Sequence, residues 1–237
     1  MGETTFMKIN GKYTARNKVV TPLHGTGRDP KLVRVRENSA EFTTCSKSGK
    51  VLRGAIGQLL NDANDSGVAR RLHKEISKVI HTDTTSVRGK RILKDGNFRL
   101  LIGFNFNIKA RLRAAFNLKF ATQMNRLTGE LTINIPSFKP ETIIKAPLGT
   151  THFKIVSAGT AVDFSIYQAI KIETIISPLI PWDSNVTTPI NAVHHVDANT
   201  PDTLFLVLGI QFYKVAGQWI DKVKMGNANC LCIVDAG

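Results

Sequence analysis

The spacing of apolar residues changes along the chain, and the change predicts helices first and strands afterwards. Val51, Leu52, Ala55, Ile56, Leu59 and Leu60 recur at helical period and make one apolar face. Ser48 is the expected N-cap of this helix and Asn61-Asp62 its exit. Gly54 and Gly57 weaken it by roughly 1 kcal/mol each, which predicts a close approach to its backbone. Asp65 or Ser66 then caps a second helix to about Ile80, with Val68, Leu72, Ile76, Val79 and Ile80 inward. The short connection predicts an αα-hairpin. Ahead of the helices, residues 6–20 read as a β-hairpin about Asn10-Gly11, the strongest two-residue turn signal, followed by a loop over 21–30.

From Asn97 the period is two. Residues 97–107 are apolar, with a bulge expected at Gly103. Residues 109–120 alternate, placing Leu112, Ala114, Phe116, Leu118 and Phe120 on one face and Lys109, Arg111, Arg113, Asn117 and Lys119 on the other. That is the pattern of a half-buried antiparallel strand. Leu131, Ile133 and Ile135 repeat it after a turn at 127–130, and further strands are expected over 152–157, 161–164, 169–175, 190–196, 204–215 and 229–235. The fold class predicted is α+β: an N-terminal β-hairpin and a basic αα-hairpin, then an antiparallel β-sandwich of immunoglobulin-like dimensions without the Cys–Trp–Cys pattern. The polar stretch 82–96 is the expected boundary, giving a basic region 1–96 and a β-sandwich domain 97–237.

Charge sharpens the division. The 237-residue chain carries a net charge of +14. Residues 1–120 hold 24 Lys+Arg and 9 Asp+Glu, a net +15, while residues 121–237 hold 8 and 9, a net −1. Such asymmetry implies an anionic partner or a complementary face on another copy. The candidate anion or nucleic-acid contacts fall in clusters. Arg28, Lys31, Arg34 and Arg36 lie in an expected extended segment, and Arg70, Arg71, Lys74 and Lys78 on the second helix. Arg88, Lys90 and Arg91 lie in the polar linker, and Lys109, Arg111, Arg113 and Lys119 on the outer face of the expected strand. Phosphate contacts of this kind are salt-sensitive and independent of base sequence. Aromatics beside them are scarce, so base stacking has little support.

No grouping for catalysis emerges. Ser48-Gly49-Lys50 lacks the glycine spacing and the following Ser or Thr of a phosphate loop, and no G-x-S-x-G elbow occurs. His194 and His195 are adjacent in a strand and point to opposite faces, while His73 and His81 lie roughly 12 Å apart along a helix. Cys45, Cys230 and Cys232 are an odd, sparse set that suits apolar packing rather than disulfides. No enzyme activity, cofactor or metal is expected. No apolar run reaches the roughly 20 residues that span a bilayer, and the opening residues as written lead us to expect no export signal. The expected location is the cytoplasm or an assembled particle.

The stretches 34–42, 48–53, 84–89, 103–107, 149–156 and 206–213 together resemble a family of uncharacterised proteins common in Bacteroidota genomes. The resemblance covers most of the chain in the same order, implies a soluble protein without an export signal, and is consistent with a non-catalytic one. It assigns no role to any residue. The function expected from all of this is a non-enzymatic structural protein that self-assembles into a homo-oligomeric particle, ring or filament. The alternative is nucleic-acid binding or packaging by the basic N-terminal part. Its partners are then other copies of itself, or nucleic acid or another polyanion.

Overall fold

The structure, a computed structural model, describes residues 4–9, 12–17, 29–63, 65–223 and 228–237. In chain order, β1 (Thr4–Ile9) pairs antiparallel with β2 (Lys12–Asn17). A 3-10 turn over Pro30–Leu32 leads into α1 (Val33–Ile56), α2 (Gln58–Asp62) and α3 (Val68–Ile80). A second 3-10 turn (Phe98–Leu101) precedes α4 (Leu112–Ala115), β3 (Ala121–Asn125), β4 (Glu130–Ile135) and α5 (Pro140–Ile143). The remainder is strand: β5 (His152–Asp163), β6 (Gln168–Ile176), β7 (Ile180–Pro181), β8 (Ile190–His195), β9 (Thr203–Ala216), β10 (Trp219–Lys222) and β11 (Cys230–Ala236).

These elements build an α+β molecule with two antiparallel sheets in a sandwich-like arrangement. The central sheet runs β10-β9-β5-β6, with β11 also on β9 and β7 on β5; the outer sheet runs β3-β4-β8. On one face of the central sheet, Val156, Ala158, Val162, Phe205 and Val207 pack with Leu52, Ile56, Leu72, Ile76 and Ile80 of the helices. On the other, Phe153, Ile155, Leu206, Leu208 and Phe212 pack with Leu131, Ile133 and Ala192 of the outer sheet. A sheet covered on both faces needs no polar alternation, which is why β5 and β9 are near-continuous buried runs. The 82–96 stretch connects two parts of one apolar cluster, since helices before it and strands after it bury one another.

Several expectations are corrected. The first helix starts at Val33, so Arg34 and Arg36 lie on helix rather than extended chain, and Ser48 is a buried mid-helix residue rather than a cap. Its front half was illegible because the positions it buries are Glu41, Cys45, Ser48 and Gly49, a face of polar and small residues. Gly49 faces α3, but a Cβ there would meet Ile76 Cδ1 at 3.5 Å, an ordinary contact, so the packing does not require glycine. Gly54 has nothing within 4 Å of such an atom, so no close approach explains it. Gly57, at φ 57°, ends α1 in a left-handed conformation that favours glycine.

Residues 97–107 are a 3-10 turn and irregular chain rather than a strand, although they run along β11. Gly103 N and Phe106 N donate to Ile233 O and Leu231 O at 2.8 and 2.9 Å, and Ile233 N donates to Phe104 O at 3.0 Å. Residues 109–120 are not a strand either. Leu112, Ala115 and Phe116 are buried around the single turn of α4, while Ala114 is exposed. The basic stripe of Lys109, Arg111, Arg113 and Lys119 therefore does not form as a strand face. The strand begins at Ala121, and the two strands expected over 152–164 are one, β5.

Candidate functional site

The basic residues divide into those that hold the chain together and those that do not. Arg28 lies outside the described residues. Arg34 pairs with Glu37 at 3.1 Å, and Arg88 reaches the same carboxylate at 3.6 Å while donating to Asn38 Oδ1 at 2.6 Å. Arg91 approaches Glu41 at 3.8 Å, and Gly89 N donates to that carboxylate at 2.9 Å. Together these bonds strap the 82–96 stretch onto α1. Arg36 donates to Asp29 O at 2.9 Å, and Lys78 pairs with Glu75 at 2.7 Å. Lys31, Arg70, Lys90 and Lys109 are exposed, and none of them lines either of the two cavities that the remaining cations border.

Arg71 and Asp65 form a clamp. Asp65 accepts from Arg71 at 2.5 Å, from Ile108 N at 2.9 Å and from Gly67 N at 2.7 Å. The same guanidinium donates to Asn105 O at 2.8 Å and Phe106 O at 3.0 Å and lies 5.2 Å from the centre of the Phe104 ring. Burial pushes the Asp65 carboxyl up, but the bonds from Ile108, Gly67 and Arg71 outweigh it and hold the carboxyl below its ordinary range. Charge-assisted bonds of this sort fix geometry well. Here they anchor residues 104–108 to the start of α3.

That anchoring makes a two-lobed cleft. Its first lobe, about 460 Å³, is bordered by Lys74 from α3 and Arg111 from the turn before α4, over exposed Leu100, Ile102 and Ile108. Its second, about 690 Å³, holds Arg113 and Lys119 above Leu118 and Phe120, and the lobes share Ile102 and Gly103. Two sequence clusters, one helical and one expected as strand, thus meet at one place. Among the described residues no ion pair reaches Lys74, Arg111, Arg113 or Lys119. Glu75, the carboxylate bordering the first lobe, is held by Lys78. None borders the second.

One pair that resembles catalytic machinery escaped the sequence. His194 Nε2 lies 3.0 Å from Ser157 Oγ, bringing β8 against β5 between the two sheets. Both residues are sealed, at 0% and 1% exposure, so a substrate has no path to them. Burial holds the imidazole below its ordinary value, and the nearby Glu173 pulls the other way. His195 points outward, as adjacent strand residues must, and its backbone N–H donates to Glu173. The signal for the Ser–His pair is sheet-to-sheet register, which no local pattern carries.

The cysteines are buried and free. Burial pushes the thiols of Cys230 and Cys232 up to about 12, with Arg113 partly opposing it at Cys232, and that of Cys45 up to about 11. Among the described residues no helix is long and apolar enough to cross a membrane. No protein-family model matches the chain, and neither a curated protein nor a solved structure matches it.

Proposed function

We propose that the chain is a non-enzymatic structural protein that self-assembles into a homo-oligomeric particle, ring or filament. The observation that supports this most directly is the outer side of β6. Among the described strands β6 pairs only with β5, and Ile172 and Ile176 on it are 45% and 50% exposed. An unpaired strand edge offers a row of N–H and C=O groups to another chain, and apolar side chains beside it reward the pairing. A head-to-tail contact built there closes into a ring if its rotation permits and otherwise runs into a filament.

The catalytic alternative draws little support: the Ser157–His194 pair is sealed, and the thiols are held protonated. A duplex-binding reading asks for a track of free cations spaced along phosphates. Arg34, Arg71, Lys78, Arg88 and Arg91 are each spent on a carboxylate, and the four without one border two adjoining lobes in pairs, Lys74 with Arg111 and Arg113 with Lys119.

Size-exclusion chromatography with light scattering, and negative-stain imaging of the unheated protein, test the proposal. Ordered oligomers are expected, and Ile172→Lys with Ile176→Lys should yield a folded monomer. A wild-type monomer at high concentration overturns the reading. Nucleic acid co-purifying with the protein, with duplex binding that weakens as salt rises, would favour the polyanion alternative.

A further inference from the structure

We propose that the two-lobed cleft beside α3 is a binding site for an anionic amphiphile, a single alkyl or acyl chain ending in a carboxylate or phosphate. The inference is independent of the assembly reading. Each lobe falls within the volume range of small-molecule sites, and the second, the more apolar of the two, has the apolar lining with a few polar groups that such sites show. The apolar part is unusually bare: Leu100 and Ile102 are 47% and 42% exposed on the cleft wall. A contiguous apolar patch rimmed by polar side chains marks an interaction site rather than ordinary surface.

Charge selects the head of the ligand. Arg113 and Lys119 border the second lobe with no carboxylate among its lining residues, and neither has an ion-pair partner among the described residues. Arg113 lies close enough to the buried Cys232 to act on its thiol, which sets this exposed guanidinium beside the wall of the second lobe. A guanidinium and an ammonium over an apolar floor suit a carboxylate or phosphate at one end of a hydrocarbon body. Ile102 and Gly103 line both lobes, so the two adjoin along this stretch. The lining favours this ligand over a nucleic acid, because Phe116 is buried and only Phe120 is left partly open for a base to stack on.

Calorimetric titration of the full chain with dodecyl phosphate and with dodecanoate, both below micelle formation, tests the proposal and separates phosphate from carboxylate heads. Saturable binding of one or both is expected, with dodecyltrimethylammonium bound at least tenfold more weakly. Arg113→Glu with Lys119→Glu should weaken binding at least tenfold. Ile102→Glu, at an exposed position, should do the same and guards against a charge variant that fails to fold. Lys90→Glu, remote from the cleft, should bind as wild type. The proposal is overturned by equal affinity for the cationic amphiphile, by unchanged affinity in the folded cleft variants, or by the absence of saturable binding. It is also overturned if a single-stranded oligonucleotide binds there and dodecyl phosphate cannot displace it.

Discussion

Adding one methyl group at Gly159 should part the two sheets. A Cβ on Gly159 would sit 2.5 Å from His194 Cβ, 2.9 Å from His194 Cγ and 3.2 Å from Leu131 Cδ1. Carbon atoms rest at about 3.5–4.0 Å, so β5 and β8 must separate by roughly 1 Å. Neither can move freely: β5 is held by β9 and β6 within its sheet, and β8 by β4. Overpacking a filled core typically costs about 1–3 kcal/mol. For a chain of this length each kcal/mol lowers Tm by about 2–4 °C, so Gly159→Ala should lose about 6 °C at mid-range. The displacement also stretches the His194–Ser157 bond, which stands at 3.0 Å. Calorimetry and urea unfolding followed by circular dichroism read the effect. Gly54→Ala is the control: on exposed helix with nothing within 4 Å, it should gain up to about 1 kcal/mol. A Gly159→Ala protein melting within about 1 °C of wild type would refute the close-packed inter-sheet geometry.

Acid should weaken the same interface. The folded His194 imidazole titrates below its ordinary value, so its contribution to stability is complete above about pH 6.5 and is lost as pH falls through the folded value. Glu173 and His195 are the ionisable neighbours, and Glu173 moderates the loss. The urea midpoint should fall between pH 7 and pH 5, and His194→Gln should flatten that slope; an unchanged slope in the variant refutes the assignment. The thiols offer a separate check. Cys45, Cys230 and Cys232 should resist an aromatic disulfide reagent at pH 8 in the native protein and react fully in denaturant, whereas rapid native labelling contradicts their burial.

Legibility in the sequence follows from what each element buries. The second predicted helix is readable because Val68, Leu72, Ile76, Val79 and Ile80 all face the core. The front of α1 is not, because Glu41, Cys45, Ser48 and Gly49 occupy its inward positions, and Glu41 is there to hold Gly89 and Arg91. The two central strands announce themselves as apolar runs long enough to require cover on both faces. Residues 97–120 mislead because their apolar side chains are buried from irregular backbone. That backbone is fixed by Asp65 and Arg71, some forty residues away in sequence. The cations around the cleft were recognisable as a residue type, but their meeting depends on those same long-range bonds.

The handling of sheet edges bears on assembly more than the charge does. β11 is flanked by residues 103–106, which hydrogen-bond along it. At the corner between the sheets, Glu173 of β6 accepts from the backbone of His195 in β8. The first half of β6 carries a bulge at Ile170 and an exposed Lys171, both of which discourage a second strand. β3, an edge of the outer sheet, presents Thr122, Gln123 and Asn125. The bulge and the lysine both lie before Ile172. Beyond it the register with β5 is regular through Ile176, and the side chains facing the helix side are Ile172, Thr174 and Ile176, with no charge among them. A chain that leaves this stretch apolar, as it also leaves Trp219 and Ile220 on the edge strand β10, gains nothing from the exposure as a monomer. The cost of leaving it uncovered is offset once another copy of the chain lies against it.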